Sequence, residues 1–501
     1  MASSSPETDS STHAASQIKR QLGLWDTVGI IVGIVVGTSI FVTPPLVLQN
    51  VAGPWQGLGV WLLGGVLSLM GAFCYAELAT SYPRSGGDYE YLSRAYGPWL
   101  GFVFGWAQLC IVLTGSIGAM AYAFANYGVK LWGLEDTSKV WLAAGAVLGL
   151  SIVNLLGVMV SKSAQSVLTG LKVLGLVVIV AAGLLCAASS EPRAAMQPSA
   201  GGGWALALVF VLYAYGGWND AAFISAEVRD VRRNIPRSLF LSLGIVTAIY
   251  LAINATFISV LGFEGARHSA TPAADVLQQV AGSWAADLTT LLVMVSALSA
   301  INGLILTGSR ILHSLGDDHR LFRHMAGWHG KLGVPTGAIL AQALVSLALV
   351  VVVGTPRGQQ AIDATLQQCG LSSLPWKQFD GGFEILVAAS APVFWAFFLL
   401  TGLALFVLRV RDKHRPRSFS TPWYPLPPIL FCLTCLFMLH ASLDYARGLS
   451  LVALIPVALG VPLYLLSRRF TANPNRMQPV VSPAAHSTGI LPVDPLALSS
   501  K

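Results

Sequence analysis

The sequence predicts an all-α polytopic membrane protein with 12 transmembrane helices, of which the first and sixth are broken. Three observations carry this. Of 501 residues, 54% are hydrophobic and 11% charged, where soluble globular chains carry roughly a quarter charged. The mean hydropathy is +0.66. The apolar residues fall in runs of about 20, the length that crosses a bilayer core. Two of those runs are interrupted by glycine at mid-span. This composition excludes a disordered chain and an ordinary soluble enzyme. The formal charge of +7 does not make a nucleic-acid binder, because the basic residues sit in short clusters between apolar runs.

In chain order, Met1 to Ser16 is rich in Ser, Thr and Ala and lacks the apolar core of a secretory signal. Residues 1–20 are therefore read as a disordered tail. The spans start near Leu24, Gly57, Pro98, Val140, Ser166, Trp204, Ser238, Ala285, Pro335, Phe383, Leu426 and Leu449. The last two are short, so the reading allows 11. Residues 471–501, rich in Pro, Ser and Ala, form a second disordered tail. With the N-terminus inside, the inner segments hold 22 of the 30 Lys and Arg residues and the outer loops 7, with Lys172 left inside a span. That asymmetry orients both termini to the cytoplasm. Two outer loops are long, Gly262 to Trp284 and Gly354 to Gly382; the second reads as an insertion rather than a lid. Cysteines are scattered, and Cys432 and Cys435 form a CxxC in an apolar helix without nearby ligands, so no metal, cofactor or disulfide framework is expected.

The glycine-interrupted spans are the most informative feature. The first reads Val32-Gly33-Ile34-Val35-Val36-Gly37-Thr38-Ser39-Ile40-Phe41, followed by Pro44 and Pro45. The sixth reads Tyr213-Ala214-Tyr215-Gly216-Gly217-Trp218-Asn219-Asp220. Small residues at mid-span lower the cost of leaving the α-helix, and bare backbone is tolerated in lipid only where it lines a protein cavity. Unwinding frees N–H groups that attract a carboxylate and C=O groups that attract an ammonium. A zwitterionic amino acid carries both. Breaks five spans apart fit two inverted halves of five helices, the arrangement that marks a secondary-transporter site. The competing reading is that the glycines only let helices pack closely.

Polar groups at mid-span point the same way. Lys172, several residues inside span five, costs about 2.5–3.5 kcal/mol on insertion scales. It either snorkels to the inner surface or faces the bundle as a proton-exchanging ammonium. Span eight carries Ser296, Ser299, Gly303 and Thr307 on one face, with Asn302 beside them. This stripe either faces the lysine or the broken helix, or serves tight packing. Asp220 either contacts a substrate amine or caps the second half of span six. Glu77 and Glu227 belong to an inner gate or pair with loop arginines. Asp26 suits the start of span one.

With these residues on the page, the chain resembles the amino acid–polyamine–organocation superfamily, and within it the L-type amino acid transporters and their bacterial relatives. The stretch from Leu22 through Trp25 and Asp26 is typical of the family's first helix, and Gly37-Thr38-Ser39-Ile40-Phe41 looks like its Gly-Ser-Gly-Ile-Phe break. Tyr75 to Ala79, Pro83 to Tyr89, Tyr215 to Asn219 and Arg233 to Pro236 match further family motifs. The resemblance implies two inverted five-helix repeats, residues 21–190 and 200–410, with two peripheral helices in 420–470, and alternating access. It implies that Gly37, Thr38 and Ser39 bind the substrate carboxylate through N–H groups. The backbone of Tyr213 and Ala214, with the Ile34 carbonyl, would receive the ammonium. The Tyr213 ring would be a gate and Asn219 would steady the unwound segment. Lys172 matches a lysine at the position of a sodium site in related transporters, implying proton coupling or sodium-independent exchange. Two departures stand out: Ser39 replaces the break's usual third residue, glycine, and Asp220 stands where many relatives have a neutral residue. In heteromeric relatives a cysteine between helices three and four joins an accessory glycoprotein; the stretch Lys130 to Lys139 has none, so no disulfide-linked partner is expected.

The expected function is amino acid transport across the plasma membrane (the inner membrane of a bacterium), with small-molecule amino acids, protons and the lipid bilayer as partners. A polyamine or modified-amine carrier, suggested by Asp220, is the alternative, and a transporter-like sensor a remote one. An intramembrane enzyme is not expected, since the sequence has no HExxH, no GxSxG and no paired mid-span carboxylates.

Overall fold

The computed structural model describes residues 20–189, 203–379 and 381–469. The two tails read as disordered lie outside the described residues, apart from Arg20. Helix dominates throughout. Among the described residues, ten helices are long and apolar enough to cross a membrane, and the bent pair Leu24–Val35 and Ser39–Gln49 makes an eleventh. The two members of that pair, span one, meet at 52°.

Span two is Pro54–Ser81, span three runs over Pro98–Trp132, span four is Lys139–Leu155 and span five Val158–Ser189. Span six is short: Trp204–Ala214 is α-helical, and 3₁₀ turns at Trp218–Ala222 and Ser225–Glu227 carry the chain onward. It is too broken to count by length and is the twelfth expected segment. Its second half is thus not the α-helix that a break alone implies. Spans seven to twelve are Val231–His268, Ala285–Asp318, Thr336–Gly354, Gly381–Arg411, Leu426–Tyr445 and Arg447–Arg469. Proline opens spans two and three at the first helical turn, where its missing N–H costs nothing. Gly133 closes span three in the left-handed conformation, φ 62°.

Span five starts at Val158, not near Ser166. The extra turns contain Ser161, Lys162 and Gln165, which hid them from an apolar window. The two long outer loops also carry structure. Span seven runs on through a break at Gly262 to His268, and a helix spans Pro272–Ala281. The second loop holds the helix Pro356–Gln368, which Thr355 caps by accepting the Gly358 N–H at 3.1 Å.

Span one sits at the centre, packed against spans five, seven and eight and against the first 3₁₀ turn of span six. Spans two and eleven pack against each other, as do spans three and ten. Aromatic rings fill the space between spans two, six, seven and eleven: Trp61 meets Tyr215 and Tyr250, and Tyr75 meets Trp218 and Phe431.

The end of the bundle that carries Leu22 is held by charge and backbone. Glu227 takes Arg310 of span eight through both oxygens, at 2.7 and 3.0 Å. Glu77 accepts from Arg409 of span ten at 2.8 Å and from the Thr421 N–H at 2.7 Å, and lies 3.2 Å from Arg417. Two of these three arginines therefore lie on spans, not loops. Asp26 accepts the Gly23 N–H at 2.8 Å and pairs with Lys162 of span five at 2.7 Å. The Leu22 N–H donates to the Glu227 carbonyl at 3.0 Å and the Arg229 N–H to the Leu22 carbonyl at 2.8 Å, a short parallel bridge.

Candidate functional site

Both breaks open onto one cavity of about 170 Å³. Ile34, Gly37 and Ser39 line it from span one, and Tyr213, Ala214, Gly216 and Asp220 from span six. Span three adds Gln108, Ser116 and Met120, and span ten Ser390, Phe394 and Trp395. Two expected residues do not line it. Thr38 faces a second, larger cavity of about 930 Å³, together with Tyr127, Lys130 and Gln359. Asn219 is buried behind the turn, and its Oδ1 has no partner among the described residues.

The peptide groups at the break in span one divide into used and free. The Gly37 N–H already donates to the Val35 carbonyl at 2.8 Å. The N–H groups of Thr38 and Ser39 have no acceptor among the described residues, as expected at the start of a helix. Opposite, the Ala214 carbonyl accepts from Tyr250 at 2.9 Å and the Tyr213 carbonyl accepts the Gly216 N–H at 3.1 Å. The Ile34 carbonyl stays open, 3.7 Å from where a Cβ on Gly37 would stand. At span six, Gly217 takes φ +103°, and a Cβ there would press on Ile34 Cγ2 at 2.6 Å. This glycine lets the two broken spans touch.

Lys172 lies beneath the break. It stands 14 residues into span five, about 21 Å along the helix, and is 0% exposed. Snorkelling is therefore ruled out. Its Nζ donates to the Gly33 carbonyl at 2.7 Å and the Val36 carbonyl at 2.6 Å. These are the carbonyls that an unwound helix would otherwise leave bare.

Two members of the stripe on span eight lie against the broken first span. Ser299 reaches the Gly33 carbonyl at 3.3 Å, and Gly303 packs against Ile34. Asn302 donates to Gln165 at 2.8 Å and accepts from Asn154 at 2.9 Å, so spans four, five and eight share one buried polar network. Ser296 is buried, and its hydroxyl has no partner among the described residues. Thr307 reaches Asp220 Oδ2 at 3.0 Å. The Asp220 carboxylate accepts no backbone N–H among the described residues, so it does not cap the turn.

Two contributors escaped the sequence reading. Tyr250 of span seven directs its hydroxyl at the Val35 carbonyl, 3.0 Å, and the Ala214 carbonyl, 2.9 Å, and so ties the two breaks together. Gln108 opens a π-helical turn, Gln108–Val112, inside span three; such turns gather at functional sites. A polar residue at mid-span was the available signal for each.

Below the turn of span six lies the helix Asp88–Tyr96, joined to it by the Gly86 N–H and Phe223 carbonyl at 3.1 Å. Burial pushes the Asp88 carboxyl well above its ordinary range. The hydrogen bond from Tyr75, 2.9 Å, opposes that, and the nearby Asp220 charge adds to it. Among the described residues no group of three or more His, Cys, Asp or Glu side chains is placed to hold a metal ion.

Comparison with known proteins follows the same lines. A family model described as amino acid permease matches residues 22–465. The human b(0,+)-type amino acid transporter 1 is 28% identical over 442 residues, covering 85% of this chain and 83% of its own. The serine/threonine exchanger SteT of Bacillus subtilis (strain 168) is 28% identical over 457 residues, covering 89% and 96%. The human cystine/glutamate transporter is 27% identical over 464 residues, covering 90% and 85%. Among solved structures, MHP1, a nucleobase-cation-symport-1 family transporter in a closed conformation with bromovinylhydantoin bound, aligns with a TM-score of 0.52 at 14% identity. That alignment covers 89% of this chain and 97% of MHP1, and it shows the fold: two inverted five-helix repeats with two further helices.

Proposed function

Because the chain belongs to the amino acid permease family, we propose that it is a secondary active transporter that moves amino acids across the membrane by alternating access. It is a transporter and not an enzyme. The relatives are named as amino acid transporters and exchangers, which does not favour the polyamine reading.

One observation carries the site: the two interrupted spans meet on one cavity that offers an open N–H at Ser39 and an open carbonyl at Ile34. A zwitterion satisfies both ends, carboxylate toward the start of the Ser39–Gln49 helix and ammonium toward Ile34 and Tyr213. Tyr213 and Trp395 supply apolar walls. The Lys172 ammonium, held on two carbonyls of the break, stands where a bound cation would. This supports proton coupling or sodium-independent exchange. In this reading residues 21–190 and 200–410 are the repeats that rock against each other, and residues 420–470 stay peripheral. The end carrying Leu22 faces the cytoplasm with both termini, and the membrane is the plasma membrane. The stretch Lys130 to Lys139 has no cysteine, so the chain works without a disulfide-linked accessory subunit.

The test is exchange in proteoliposomes of the full chain. Preloaded unlabelled amino acids accelerate uptake of a labelled one. Uptake no faster than in protein-free liposomes, for every protein amino acid and with or without a proton gradient, overturns the reading.

A further inference from the structure

Among the described residues, Asp220 is the one acidic side chain lining the central cavity, and no Lys, Arg or His lines it. The residue is 6% exposed. Its Oδ2 accepts the Thr307 hydroxyl at 3.0 Å, and its Oδ1 accepts no hydrogen bond among the described residues. Buried carboxylates are ordinarily matched by a cation. The nearby Asp88 is itself a carboxyl and supplies no compensating cation.

Three other polar side chains of the cavity are suited to a cation as well. Gln108, itself 6% exposed, has no partner for its side chain among the described residues, and its amide oxygen is an acceptor. Ser116 and Ser390 spend their hydroxyl hydrogens on the Val112 and Val387 carbonyls, at 2.7 and 3.2 Å. What they leave for a ligand is lone pairs. The peptide groups of the breaks already account for the two ends of a zwitterion. Asp220 and Gln108 are surplus to that need.

We propose that Asp220, with Gln108, forms a side-chain subsite for a positively charged group, and that the substrate is an amino acid with a basic side chain. This rests on the transport reading above and narrows it. An ammonium or a guanidinium meets the same need, since both donate several hydrogens and carry one charge.

The experiment compares arginine with citrulline, which has the same length and shape but a neutral ureido group. Each competes for labelled arginine exchange in proteoliposomes of the full chain. Arginine competes at least tenfold better in the wild type; in Asp220→Asn that ratio collapses toward one, and in Asp220→Glu it persists. Thermal stabilisation of the detergent-solubilised protein by each ligand gives the same ranking and shows whether each variant is folded. If Asp220→Asn does not fold, the wild-type ratio and Asp220→Glu decide. Equal competition by citrulline in the wild type overturns the proposal. So does an unchanged ratio in a folded Asp220→Asn. Equal competition together with a pH dependence of uptake that Asp220→Asn removes would give the carboxyl a proton instead, and also overturns it. Exchange of neutral amino acids with arginine inert sinks only this inference, whereas no exchange of any amino acid sinks the transport reading.

Discussion

Lys172 Nζ lies 2.7 Å from the Gly33 carbonyl oxygen, so the ammonium buried in span five is bonded to the backbone of the broken helix it faces. No acidic side chain pairs with it among the described residues. Its charge rests on peptide dipoles alone.

Lys172→Ala is therefore expected to leave the Val36 carbonyl bare and the Gly33 carbonyl with the Ser299 hydroxyl alone, at a cost of about 1–3 kcal/mol. Uptake in proteoliposomes should lose its dependence on external pH while the protein still purifies as a single species. A pH profile identical to the wild type removes the proton role and leaves the lysine as a structural tie.

Tyr250→Phe deletes the hydroxyl that faces both breaks and keeps the ring that packs on Trp61 and Tyr215. Losing a hydrogen bond of about 1 kcal/mol corresponds to roughly a fivefold change. The exchange rate should fall by about that factor with little loss of thermal stability. A wild-type rate would show that the two breaks hold their geometry without this tie.

Glycines at the breaks should separate binding from folding. A Cβ on Gly37 meets nothing nearer than the Ile34 carbonyl at 3.7 Å. Gly37→Val is expected to fold and to abolish substrate protection in a thermal-shift assay, because its side chain occupies the cavity. Gly217→Ala meets Ile34 at 2.6 Å with φ +103° and should destabilise the protein by about 1–3 kcal/mol. Retained binding by a folded Gly37→Val would dissociate the cavity from transport.

Asp88 gives a pH prediction with a definite sign. Its folded-state pKa is raised, chiefly by burial. The folded chain therefore holds this proton more tightly than the unfolded chain, whose carboxyl titrates near 3.9. The linked stability is complete below the unfolded value and is lost as pH rises through the folded one. Asp88→Asn should flatten the decline in melting temperature as pH rises above about 4. Parallel melting curves for the two proteins across that range would refute the assignment.

Much of this architecture was legible from residues alone, for local reasons. The starts of spans one, three, six, eight and eleven fall where the sequence puts them, because Pro98 and the glycine just before Trp204 punctuate the chain sharply. The breaks were legible because glycine clusters are rare enough at mid-span to mean something. Span five was misplaced because its first turns are polar yet buried among spans four and eight, and burial is a property of neighbours. The cap and proline at Thr355 and Pro356 announce a helix that composition alone missed. The π-helical turn at Gln108 has no compositional mark: one extra residue in a turn changes which side chains face the cavity without changing what they are. Tyr250 joins carbonyls 215 and 36 positions away in the chain, a distance no pattern of spacing reports.

The bridge between Leu22 and Val228 is written in main-chain atoms, so side-chain drift at either position leaves it intact. Only a residue without an amide hydrogen would cut it, and Leu22 and Arg229, its two donors, are where a proline would do so. Motion that parts the two halves at this end must therefore unzip a stitch that is indifferent to sequence, and evolution can retune the ion pairs around it without loosening the seam.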